Sequence, residues 1–145
     1  MKAQSRFTYS PTLIQSLEGD HAELLQMYTQ VDQMLKRGDY EAIVPALGTF
    51  KTKLDVHILN ENLRFYCYLE EHLAGSPDEL NVMKDFRREM NDIARGVVNF
   101  VRKYQMAGVT LSNHKNFGNE FQQVGALLAQ RIEREERGLY ILYTP

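Results

Sequence analysis

With Cys67 as its only cysteine, the chain cannot close an internal disulfide, and a reducing compartment suits it. No apolar run approaches the roughly 18 residues of a membrane span. Met1 to Ser10 is polar and lacks the apolar core of a secretory signal. Basic excess is missing as well: 17 lysines and arginines stand against 19 acidic residues, for a net charge of −2. A nucleic-acid surface is therefore not expected. No block of like charge marks an interaction tail. These absences predict a cytoplasmic protein that binds neither nucleic acid nor membrane.

What is present is helical periodicity. A length of 145 residues suits one domain that buries most of its apolar surface. Ser10 and Pro11 read as the cap and first residue of a helix. The stripe Ile14, Leu17, His21, Leu24, Tyr28, Val31, Leu35 advances in alternating steps of three and four, an unbroken heptad seam. Lys36, Arg37 and Gly38 close that helix. Asp39 opens a second after a very short connection, which predicts antiparallel neighbours. Its stripe is Leu47, Phe50, Leu54, His57, Glu61, Phe65, and it extends to about Leu73. Ser76 and Glu79 have capping-box spacing around Pro77, which starts a third helix. That helix carries Met83, Phe86, Met90, Ile93, Val97, Phe100 and Tyr104. Gly96 inside it costs about 1 kcal/mol against alanine, so close packing is expected there. After a polar loop the fourth helix carries Phe117, Phe121, Val124, Leu128, Ile132, Leu139 and Leu142. The sum is an all-α, up-down-up-down four-helix bundle over residues 11–145, behind a flexible segment 1–10.

Polar side chains fall on these inner stripes: His21, His57, Glu61 and Glu135, the last sharing the face of Leu128 and Leu139. Glu136 is one step off that face, and Arg131 lies one turn before Glu135. Polar groups in an apolar interior cost free energy unless paired or bound to something. Two imidazoles and two carboxylates converging in a bundle core suit iron, zinc or manganese. A plainer reading stays open. His57 and Glu61, one turn apart, hydrogen-bond each other, His21 is a satisfied core histidine, and residues 133–137 are a solvated charge run. Tyr66, Tyr68, Tyr140 and Tyr143 read as rim packing, and Cys67 as a small buried hydrophobe.

Asp20-His21 with Leu24-Leu25, His57-x-x-x-Glu61 with Leu63 and Tyr66, and Glu135-Glu136 with Leu139-Tyr140 form a set. This set resembles the hemerythrin, or HHE cation-binding, family over nearly the whole chain after residue 10. The resemblance implies a bundle in which two irons share two bridging carboxylates. On it, His21 and His57 match one iron's histidines, Glu61 one bridge, and Glu135 the other, with Glu136 as runner-up. Phe86, Met90 and Arg131 stand where the second iron's own histidines would be. One ion is thus expected rather than two. None is expected if the Arg131 guanidinium replaces the lost charge and faces Glu135 and Glu61. A fainter similarity, mainly in helix four, is to AlgQ-type anti-sigma regulators.

Three functions follow. The first is a metal-binding sensory or regulatory protein with a single-ion site, holding iron or else zinc or manganese. It is not an oxygen carrier of the hemerythrin type, which needs both irons to reduce O2 to peroxide. The second is a metal-free interaction module in which Arg131 supplies the charge. The third is a mononuclear-iron oxidoreductase. No nucleophile–base arrangement, phosphate loop or cysteine pair supports it, and no catalytic residue is assigned. The first two call for a protein partner, and the tyrosine-rich helix ends leave room for a homodimer.

Overall fold

The computed structural model describes residues 7–145. Four long helical rods make up the chain: α1 (Leu13–Arg37); α2 (Tyr40–Asn60), continued by a π-helical turn (Glu61–Tyr66) and α3 (Cys67–His72); α4 (Pro77–Ala107); and α5 (His114–Arg134), continued by a second π-helical turn (Glu135–Leu139) and a 3-10 turn (Tyr140–Leu142). No strand occurs among the described residues. α1 packs on α2, α2 on α4, α4 on α5, and α5 back on α1, which closes the bundle. Short connections at 38–39, 73–76 and 108–113 enforce the alternating direction. No described helix is long and apolar enough to cross a membrane.

The ends follow local chemistry, with adjustments. Gly38 adopts the left-handed conformation (φ 74°) that its missing Cβ allows. Its amide and that of Asp39 then satisfy the carbonyls of Leu35 and Met34 (3.2 and 2.9 Å). α1 starts at Leu13, later than Ser10–Pro11 suggested, with Thr12 at its cap; the Ser10 amide donates to the Tyr143 hydroxyl (2.8 Å). Ser76 stands at the cap of α4, but no capping-box side-chain bond forms; its carbonyl accepts the Leu80 amide at 2.9 Å. Of the segment expected to be flexible, residues 1–6 lie outside the described residues. Phe7 and Tyr9 pack on the bundle, with Tyr9 stacked on Tyr143 at 4.8 Å.

The apolar interior forms two clusters. The larger includes Leu24, Val31, Leu47, Leu54, Met90, Phe117, Phe121, Leu128 and Ile132. The smaller includes Leu13, Leu17, Phe65, Leu69, Met83, Leu139, Tyr140 and Tyr143. His21 falls between Leu17 and Leu24, His57 and Glu61 between Leu54 and Phe65, and Glu135 between Ile132 and Leu139. A polar layer therefore divides the core.

Close packing occurs at a different glycine from the expected one. Gly96 is exposed, and a Cβ there would meet nothing. Gly125 is the tight position: a Cβ would overlap the Tyr28 ring, which stacks on Phe121 at 4.1 Å and donates its hydroxyl to the Phe121 carbonyl at 3.0 Å.

Candidate metal centre

The four side chains singled out on the inner stripes meet in the polar layer. One ligating atom from each of His21, His57, Glu61 and Glu135 lies within 4.8 Å of the others. All four residues are buried, with exposures of 3, 2, 1 and 1 %. The two ring Nε2 atoms face each other at 3.1 Å. His57 Nε2 lies 2.8 Å from Glu61 Oε2, and His21 Nε2 lies 3.6 Å from Glu135 Oε1.

The rods are locally unwound where the carboxylates enter. Each π-helical turn begins at one of them, Glu61 and Glu135, and each shows the wide hydrogen bond that defines it. The Cys67 amide donates to the Asn62 carbonyl, and the Tyr140 amide to the Glu135 carbonyl, both five residues back. In a regular α-helix, residues five apart diverge by about 140°. A π turn brings them back to one face, and such turns are frequent at functional sites. The second turn accordingly places Tyr140 over Glu135. The Tyr140 hydroxyl lies 2.8 Å from Glu135 Oε1, 2.9 Å from Glu61 Oε2 and 3.3 Å from His21 Nε2.

A second ring of groups orients the imidazoles. His21 Nδ1 lies 3.0 Å from Glu136 Oε1, and His57 Nδ1 lies 2.9 Å from Asp20 Oδ2. Lys53 in turn holds Asp20 at 3.0 Å and Glu23 at 2.9 Å. An ionised carboxylate only accepts, so we assign the proton of each neutral ring to Nδ1. Both Nε2 lone pairs then point inward, beside two carboxylates, and the Tyr140 O–H reaches into the cluster with them. Inward lone pairs backed by outer carboxylates are the arrangement that orients histidine ligands toward a metal. The ligating atoms of the four residues lie close enough together to share one ion.

Titration follows the same geometry. Burial pushes Glu135 well above the ordinary carboxylate range, and the neighbouring negative charge of Glu61 pushes it further. Burial also acts to raise Glu61, but hydrogen bonds with His57 and Glu135 outweigh it and leave Glu61 lowered. For His57 burial opposes protonation, yet Glu61 and Asp20 together raise it above the ordinary imidazole value. Burial lowers His21 by more than Glu136 restores. In the ion-free chain these shifts favour protons on His57 and Glu135.

The remaining candidates lie elsewhere. Glu136 is half-buried and serves as the outer partner of His21. Arg131 is buried, but its ion pair is with Glu89 of α4 and not with Glu61, because the guanidinium runs outward across the Phe86 ring, 4.9 Å from its centroid. Its charge still acts on Glu135 through space. One guanidinium nitrogen, Nη1, is buried without a hydrogen-bond partner. Phe86 is half-buried and packs on the smaller cluster, while Met90 is in the larger. His72 bonds Thr144 at 3.1 Å, His114 stacks on Tyr40, and Cys67 is half-buried. Sequence reasoning missed Asp20 as an outer partner and Tyr140 as a neighbour of the cluster. Asp20 adjoins His21 but serves His57, on the next rod, and no spacing along one helix reveals that.

Fold and site together define a four-helix bundle with a buried two-histidine, two-carboxylate group able to hold a cation. The family model of the hemerythrin HHE cation-binding domain matches residues 12–143, and the chain belongs to that family. No curated protein and no solved structure matches it.

Proposed function

We propose that this protein binds a single metal ion, iron before zinc or manganese, through His21, His57, Glu61 and Glu135, and works as a sensory or regulatory protein. The carrying observation is the set of four inward acceptor atoms whose imidazoles are backed by Asp20 and Glu136. Iron bound there would supply a redox-active centre open to small exogenous ligands. The chain's residues hold the ion, exclude bulk water and fix the ring orientation. Oxygen carriage by paired irons is disfavoured, since Phe86, Met90 and Arg131 offer a second ion no histidine. A protein partner would read the state of the site. The exposed Val56, Leu59 and Leu63 on the outer side of the second rod support such a surface.

Metal content of protein purified without oxygen tests the reading. About one ion per chain is expected, lost in His57→Ala; less than about 0.2 per chain, unchanged by that substitution, would sink it. The second reading, a metal-free interaction module, draws support from the Arg131 charge acting on Glu135. On that reading Arg131→Met destabilises the metal-free protein, while added ions change nothing.

A further inference from the structure

We infer that Tyr140 is a fifth ligand of this ion, bound through its phenolic oxygen; the inference rests on the single-ion reading above. Ligands about 2.1 Å from an octahedral ion and adjacent to one another lie about 3 Å apart. The cluster has edges of that length. His57 Nε2 to Glu61 Oε2 is 2.8 Å and His21 Nε2 to His57 Nε2 is 3.1 Å. The Tyr140 oxygen continues the same figure, at 2.8, 2.9 and 3.3 Å from three of the four other ligating residues. It therefore stands where a fifth ligand of an ion held by the other four residues would stand.

In the ion-free chain the phenol has one proton to give and lies within hydrogen-bond distance of Glu61, Glu135 and His21. As a ligand it makes one bond to the ion, and the three short distances become the edges of one shell. The ring is fixed for this. Tyr140 is 4 % exposed, stacks on His21 with planes 9° apart, and meets Phe65 edge-on at 5.0 Å. The π-helical turn beginning at Glu135 aims it inward.

On binding, the O–H bond breaks, its proton leaves to solvent, and the oxygen donates an electron pair to the ion; nothing is oxidised or reduced. The shell then holds three anionic oxygens and two neutral nitrogens, a charge set that favours trivalent over divalent iron.

The experiment uses the full chain loaded with ferrous ion in the absence of oxygen and then oxidised with ferricyanide. Visible absorption and resonance Raman spectra are recorded beside metal content. The expected result is a phenolate-to-iron charge-transfer band with tyrosinate ring vibrations in the native protein. In Tyr140→Phe the band is lost while an ion is retained. Native protein holding about one iron per chain with no tyrosinate vibrations overturns the inference and leaves the four-ligand reading intact. A band that survives in Tyr140→Phe also overturns it. A native chain that takes up no iron overturns both. The native spectrum decides even if the variant fails to fold.

Discussion

At the residue scale, the candidate centre is as much its outer ring as its four inward side chains. Asp20 fixes one imidazole and Glu136 the other, so that each presents Nε2 to the interior. Asp20→Asn keeps the shape but lets the amide donate, which competes with the Nδ1 proton of His57. Ion affinity measured by titration calorimetry should fall about 10–100-fold, as for other outer-ring changes. Proton linkage gives a second expectation. Both His57 and Glu135 are raised in the folded, ion-free chain. A raised group contributes stability below its unfolded value and loses it as pH rises through the folded one. On this account the ion-free protein weakens as pH rises, from the carboxylate range upward through Glu135 and from the imidazole range upward through His57, where an ion would take the place of their protons. Melting curves should show the ion's stabilisation growing from about pH 6 to about pH 8. A gap that shrinks over that interval would contradict this assignment of protons.

At the scale of the element, seams of three and four residues made the rods legible, because burial of one helix face imposes that period on the sequence. His21, His57, Glu61 and Glu135 were legible for the same reason, as polar interruptions of apolar stripes. Tyr140 was not. It lies five residues after Glu135, a separation that a regular helix turns away, and the two π-helical turns leave no mark in composition. The outward course of Arg131 was equally hidden, since its partner Glu89 lies on another rod and is exposed. Nor could single-helix reasoning choose between glycines. Gly96 faces solvent, while Gly125 is required by Tyr28 on the facing helix. Gly125→Ala should accordingly destabilise the protein by about 1–3 kcal/mol through overpacking. Gly96→Ala should be neutral or stabilising by up to about 1 kcal/mol. Denaturant midpoints of the two variants check the contrast.

At the scale of the molecule, the polar layer separates two apolar clusters that a continuous core would merge. An ion held by α1, the second rod and the fourth rod would tie the clusters across that layer. Ligand binding stabilises only states in which the site is formed. In the ion-free protein the smaller cluster, around Leu13, Phe65, Leu69 and Leu139, should open without the larger. Amide exchange should then show lower protection near those residues than near Leu47, Val97 and Phe121. Loading the ion should draw the two levels together. Equal protection in the ion-free chain would mean that the layer does not divide folding.

The π-helical turn after Glu135 carries one residue more than a regular turn would hold. The residues at and beyond its end, Leu139, Tyr140 and Tyr143, are in phase with the bundle only because of that extra residue. Losing one residue here, such as the exposed Gly138, would rotate the tail by about 100°. It would turn Tyr140 from the His/Glu group and Leu139 from its apolar neighbours in a single step. In lineage terms, the end of the bundle and the chemistry of its centre are linked characters. A one-residue deletion here would displace Tyr140 from the centre and disturb the packing beside it together.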